Sequence, residues 1–222
     1  MRSFAEIYHT ACLHKGSEEA LTALLPKART SRQLKNVTDD RYLSDMSRRI
    51  FRAGLKHEMV DKKWPGFEEV FDRFDPYSCA MLSDEDIERL MGDKRIIRHL
   101  GKVKAVRDNA AFVRAIQQEH GSFGCYLADW PVEDIAGLWI TLKKRGKQLG
   151  GNSGAAFLRM VGKDTFLLTK DVVAVLKLEG VIEKEPSAQK DFYAAQRAFL
   201  QWREESGRPL CEISRIVSCS VS

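Results

Sequence analysis

The stretch Leu149-Gly150-Gly151-Asn152-Ser153-Gly154 decides how this 222-residue chain is read. It stands between the basic run Leu142-Lys143-Lys144-Arg145-Gly146 and the apolar Ala155-Ala156-Phe157-Leu158. Glycines supply left-handed backbone angles and let a ligand approach the main chain closely. The pattern predicts a tight hairpin between two helices. Such a turn, leading into a helix N-terminus, aims several backbone N–H groups one way and makes a phosphate site. The cations just before it attract a polyanion over longer range. The expectation is a helix–hairpin–helix that grips a nucleic-acid backbone through Gly150, Gly151, Asn152, Ser153 and Gly154, with Lys144 and Arg145 beside them. Taken alone, the hairpin also reads as a flexible helix–helix linker.

Outward from the hairpin, the patterning is helical nearly throughout. Ser17-Glu18-Glu19-Ala20-Leu21 opens a helix behind a capping serine, and Pro26 ends it. Leu43, Met46, Ile50 and Phe51 repeat with a helical period after Thr38-Asp39-Asp40, up to Gly54. Trp64-Pro65-Gly66-Phe67 reads as the start of a short helix, and Asp75-Pro76 as a break. Further helices are expected from Ser83, over 101–118, 132–144, 153–162, 169–179, 187–205 and 209–219. No β-α-β alternation or strand hairpin occurs. The prediction is an all-α globule of about ten helices.

The bulk numbers narrow the class. Apolar residues make up 44% and charged residues 30%, which suits a packed globule rather than a disordered chain. The net charge of +5 permits nucleic-acid binding without requiring it. No apolar run approaches the roughly 18 residues that span a bilayer. The first residues lack a signal-like apolar core, so no membrane association and a cytoplasmic location are expected. Cys12, Cys79, Cys125, Cys211 and Cys219 are scattered without a CxxC, as reduced thiols would be.

Several segments, in order, resemble the DNA-3-methyladenine glycosylase I family. They are Ala53-Gly54-Leu55, Phe67-Glu68-Glu69-Val70-Phe71-Asp72-Arg73-Phe74-Asp75-Pro76, Leu82-Ser83-Asp84-Glu85-Asp86-Ile87-Glu88-Arg89-Leu90, Arg95 through Ala110, and the approach to the hairpin. Together they span about 40 to 165. The resemblance implies the helix–hairpin–helix DNA glycosylase fold, with two lobes around a cleft. It implies one glycosylase-like domain over 1–222, with an N-terminal extension at 1–36, a pocket lobe at 37–145, and the hairpin and C-terminal helices at 146–222.

The departures from the family bear on chemistry. The family's pocket glutamate, four residues before Ala-Gly-Leu, is Arg49 here; the glutamine just before that segment is Arg52, and the tryptophan two after it is His57. With Phe51 and Trp64 as further candidates, Arg49, Phe51, Arg52, His57 and Trp64 form the expected base pocket. Arg49 and Arg52 lie three apart, on one helix face. Arginine suits a cationic alkylated base poorly, so the pocket favours a neutral or acceptor-rich lesion, or the two arginines contact phosphates. The family also holds zinc with Cys and His near both chain ends. His9, Cys12, His14, Cys211 and Cys219 lack that spacing, so no metal and no cofactor are expected.

After the hairpin helix the chain continues Phe166-Leu167-Leu168-Thr169-Lys170-Asp171-Val172-Val173. This resembles the wider superfamily, where an aspartate begins the helix after the hairpin unit. Asp171 is the matching catalytic carboxylate, with Thr169 the alternative register. A carboxylate there stabilises the positive charge that develops on a sugar as an N-glycosidic bond breaks. It could instead be an ordinary helix cap. Residues 151–162 contain no lysine for Schiff-base chemistry, and Lys147 and Lys163 flank them, expected to be solvated or phosphate-facing. The implied activity is a monofunctional hydrolase of a damaged, alkylated base in double-stranded DNA, acting as a monomer in base excision repair. The alternative is a non-catalytic helix–hairpin–helix DNA-binding protein.

Overall fold

The computed structural model describes residues 1–221. Among them are fourteen α-helices, two short 3-10 helices and no strand. In chain order the helices are α1 (Phe4–Lys15), α2 (Glu18–Thr22), α3 (Ser31–Lys35), α4 (Asp39–Arg52), α5 (His57–Val70), α6 (Pro76–Ala80), α7 (Asp84–Gly92), α8 (Leu100–His120), α9 (Phe123–Asp129), α10 (Ile135–Arg145), α11 (Asn152–Met160), α12 (Lys170–Leu178), α13 (Gln189–Ser206) and α14 (Leu210–Cys219). None is long and apolar enough to cross a membrane.

Helix starts follow local chemistry. Ser3, Ser17, Thr30, Ser83 and Thr169 each accept a backbone N–H from the first turn they precede. Asp75 does the same for α6, accepting from Ser78 N at 2.7 Å.

The chain divides into two compact units. One takes Met1–Arg29, Trp130–Ile140 and Gly162–Ser222; the other takes Thr30–Asp129 and Thr141–Val161. The segment expected over 1–36 thus falls mostly with the C-terminal helices. The hairpin falls with the segment expected over 37–145.

In the unit that holds the hairpin, α4 buries Tyr42, Leu43, Met46, Ile50 and Phe51. An aromatic run packs beside it: Phe51 and Phe67 have ring centroids 4.6 Å apart, Trp64 stacks on Phe67 at 4.8 Å and on Phe74 at 5.3 Å. The expected helix start at Trp64-Pro65 is corrected here. Those residues lie inside α5, which begins at His57. A proline in a helix interior costs about 3 kcal/mol. Val60, Trp64 and Phe67 are all buried on one face that continues across Pro65. Burying such side chains contributes about 1.5–3 kcal/mol each, which outweighs the break. Gly66 allows the packing: a Cβ there would lie 2.9 Å from the Arg95 carbonyl oxygen.

In the other unit, α14 is locked by the segment before α12. Asp164 accepts from Leu210 N at 3.0 Å and Cys211 N at 2.8 Å, and Leu167 N donates to Ser214 Oγ at 2.9 Å. One turn further on, Ser218 Oγ donates to Asp171 Oδ2 at 3.1 Å. Phe166 stacks on Phe199 at 4.4 Å and meets Trp139 at 4.5 Å. Lys163 is a correction: it is buried, and its Nζ donates to the Trp130 carbonyl at 2.6 Å. Of the three N-terminal residues that lack the zinc spacing, all on α1, His9 is exposed, Cys12 is half-buried and His14 Nδ1 lies 3.2 Å from the Cys219 carbonyl oxygen.

Candidate nucleic-acid interface and base pocket

The hairpin forms between α10 and α11. Gln148 and Gly151 both take left-handed φ, 58° and 55°. Gly146 and Gly154 are there for space. A Cβ on Gly154 would meet the Leu149 carbonyl oxygen at 2.7 Å, and one on Gly146 the Leu142 carbonyl oxygen at 2.9 Å. Asn109 of α8 clamps the turn: its Oδ1 accepts from Lys147 N at 2.7 Å and its Nδ2 donates to Lys147 O at 3.1 Å. Gln148 Nε2 donates to Gly101 O at 2.7 Å. The loop is therefore pinned rather than a free linker.

The residue before α11 is Gly151, which has no side chain to cap the helix. Gly151 and Asn152 are exposed, Gly150 and Ser153 half-buried, and Gly154 buried. The positive end of the helix dipole therefore reaches the surface there. Lys144 is exposed. Arg145 is not free in the same way. It forms a bidentate pair with Glu119, at 2.8 and 2.6 Å, and lies over the Phe112 ring at 5.3 Å. The hydrogen bonds with Glu119 push the Arg145 pKa up, and the same pair holds Glu119 low.

The residues expected to form a base pocket separate into two kinds. Phe51 and Trp64 are core groups. Phe51 is fully buried, and the Trp64 indole, 5% exposed, donates to Ser44 Oγ and Glu68 Oε1, each at 3.1 Å. One edge of Trp64 lines a surface depression with Arg41, Ser44, Arg48 and Glu68. Arg49, Arg52 and His57 reach solvent in different degrees: the arginines are half-buried and His57, at the first position of α5, is exposed.

Arg52 is tied down. Its Nη2 lies 2.7 Å from Asp61 Oδ1 and 2.6 Å from Oδ2, and its Nη1 lies 3.6 Å from Met160 Sδ, joining the pocket helix to the hairpin helix. Among the described residues no acid pairs with Arg49. Its Nε is buried without a hydrogen-bond partner.

Sequence reasoning missed Asp61, Glu68 and Lys102. Glu68 accepts from Arg41 at 3.0 and 2.8 Å and from Ser44 Oγ at 2.6 Å. Lys102 is buried, and its Nζ donates to Phe51 O at 3.1 Å and Ala53 O at 2.7 Å, satisfying carbonyls at the end of α4. An isolated lysine in a helical pattern gives no signal that it points inward.

Asp171 stands at the second position of α12. Thr169 is the cap, its side chain accepting from Val172 N at 3.3 Å. The plain capping role is thus filled by Thr169, and the Asp171 carboxylate, half-buried, is held by Ser218.

Residues 34–146 match the methyladenine glycosylase family. The chain is 39% identical over 72 residues to DNA-3-methyladenine glycosylase 1 of Escherichia coli (strain K12), covering 32% of this chain and 38% of that protein. It is 32% identical over 76 residues to DNA-3-methyladenine glycosylase of Haemophilus influenzae, covering 34% and 41%. The chain thus spans about two fifths of the length of the curated relatives it matches. Among solved structures it is similar to 3-methyladenine DNA glycosylase I from Staphylococcus aureus. There the TM-score is 0.50 at 27% identity, over 56% of this chain and 77% of the other.

Proposed function

The chain belongs to the methyladenine glycosylase family, and we propose on that footing that it is a monofunctional DNA glycosylase. It would hydrolyse the N-glycosidic bond of a damaged, alkylated base in double-stranded DNA, in base excision repair. The observation that carries this reading is the pinned glycine hairpin leading into a helix that starts behind Gly151, set in a chain of that family. Gly150 to Gly154 would hold a backbone phosphate, with Lys144 as the nearby cation. Arg145 would serve less, since Glu119 neutralises it.

In the reaction the sugar–base bond breaks and its electron pair leaves with the base. Positive charge develops on the sugar, and water supplies the oxygen that replaces the base. Asp171 would stabilise that charge and orient the water. The hydrogen bond from Ser218 would fix the rotamer of its carboxylate. The lack of a lysine over 151–162 supports hydrolysis rather than Schiff-base chemistry. Five free cysteines fit a reducing compartment, and a cytoplasmic monomer is part of the reading.

A second reading is favoured by one observation: Arg49 stands where the family carries its pocket glutamate. The chain would then bind DNA without cleaving it. Base release from alkylated duplex DNA, with wild type beside Asp171→Asn, separates the two. Release that vanishes in the variant supports the glycosylase. Salt-sensitive binding with no release by either protein supports the second reading.

A further inference from the structure

Three arginines, Arg48, Arg49 and Arg52, stand near the end of α4, and α8 brings Lys102 to the same helix end. Three of these four cations are engaged. Arg48 Nε lies 3.0 Å from Asp61 Oδ1, and Arg52 holds both oxygens of the same carboxylate. Lys102 is spent on the carbonyls of Phe51 and Ala53. Arg49 is the exception. It is half-buried, its Nε has no partner, and no ion pair joins it among the described residues. Burial first, then the charge of Arg52, push its pKa down. Burial, then Arg49 itself, does the same to Lys102.

A guanidinium in this state is costly, and an acceptor drawn against it relieves the cost. Its planar fork matches two acceptors side by side. A second positive charge brought against it is repelled, more strongly because water is partly excluded. In the reading above, backbone phosphates would be met at exposed groups, such as Lys144 and the start of α11. Arg49 is set back from that kind of surface.

We propose that Arg49 is a specificity residue that takes the two-acceptor edge of a neutral base and rejects a positively charged one. This rests on the glycosylase reading above. It would turn the pocket away from the cationic bases for which a carboxylate at this position is suited.

Binding of the full chain to three duplexes tests it, by fluorescence anisotropy over a range of salt. One carries hypoxanthine, with O6 and N7 as adjacent acceptors. One carries positively charged 7-methylguanine. Both have 2′-fluoro sugars to block release. The third carries a tetrahydrofuran abasic analogue and no base. The expected result is roughly tenfold or tighter binding of hypoxanthine over 7-methylguanine. Arg49→Gln should erase that preference and leave the abasic duplex unchanged. Arg49→Lys, which keeps the charge but loses the fork, should lose most of the affinity for hypoxanthine. Equal binding of the two bases by wild type overturns the proposal. So does an Arg49→Gln variant that weakens all three alike and lowers the salt dependence by about one phosphate, the mark of a backbone contact. Absent or salt-insensitive binding to every duplex overturns the DNA reading itself, and this inference with it.

Discussion

Asp61 grips Arg52 at 2.6 and 2.7 Å, while Arg49, three residues earlier on α4, has a buried Nε without a partner and no ion pair among the described residues. Two arginines that look equivalent on one helix face are therefore different groups. One is a structural strut shared with Arg48, and the other is half-buried with its Nε unpartnered.

Removing the strut should cost little at neutral pH and nothing in acid. Hydrogen bonding from Arg52 leads the causes that hold the Asp61 carboxyl below its ordinary value. A group lowered in this way stabilises the fold above its unfolded pKa of about 3.9, and the contribution is lost as pH falls through the lower folded value. Asp61→Asn should lower stability by about 1 kcal/mol at pH 6, the range of a partly exposed pair. Urea midpoints of the two proteins should converge toward pH 2. A gap that stays constant with pH would refute the assignment.

Glu68 should matter more. Burial acts to raise its pKa, but hydrogen bonds from Arg41 and Ser44, with the Arg41 charge, bring it out below the ordinary value. Glu68→Ala leaves Arg41, Ser44 and the Trp64 indole without their shared acceptor. The expected loss is about 3 kcal/mol. Denaturant unfolding measures it, and a loss below about 1 kcal/mol would place the cluster with ordinary surface pairs.

Lys102 is expected to hold the end of α4. Lys102→Met keeps the stem but leaves the Phe51 and Ala53 carbonyls unpaired. Stability should fall by about 1–3 kcal/mol. Hydrogen exchange should speed up in the last turn of α4 before it changes in α8. Uniform acceleration across both helices would count against a local role.

The hairpin glycines should divide by space rather than by position. Gly154→Ala places a methyl 2.7 Å from the Leu149 carbonyl oxygen and should cost about 1–3 kcal/mol. Salt-dependent DNA binding should weaken with it. Gly150→Ala meets Lys143 Cγ at 3.4 Å, an ordinary contact with a flexible side chain, and should fold as wild type does. Thermal melts of the two variants decide the point, and equal melting temperatures would sink it.

What could be read before folding was local. Capping serines and threonines, apolar residues at helical spacing and glycine clusters announce themselves within a few neighbours. Ser83 caps where its spacing said it would, whereas the cap of α12 is Thr169 and not Asp171, the residue for which a capping role was weighed. The hairpin was legible for the same reason, because its conformation depends on residues within one loop. The start of α5 was not, since Pro65 signals a helix start locally while Val60, Trp64 and Phe67 together favour a longer helix.

The sequence by itself determined an all-helical chain with a glycine hairpin, and the family to which it belongs. Only the tertiary structure decided which charges are spent. Asp61 comes from the helix after Arg52, Lys102 from a helix about fifty residues beyond Phe51, and Glu119 likewise reaches Arg145 across the fold. An arginine's spacing fixes its helix face. Whether it is neutralised depends on acids brought near by packing, and one-dimensional order does not carry that distance.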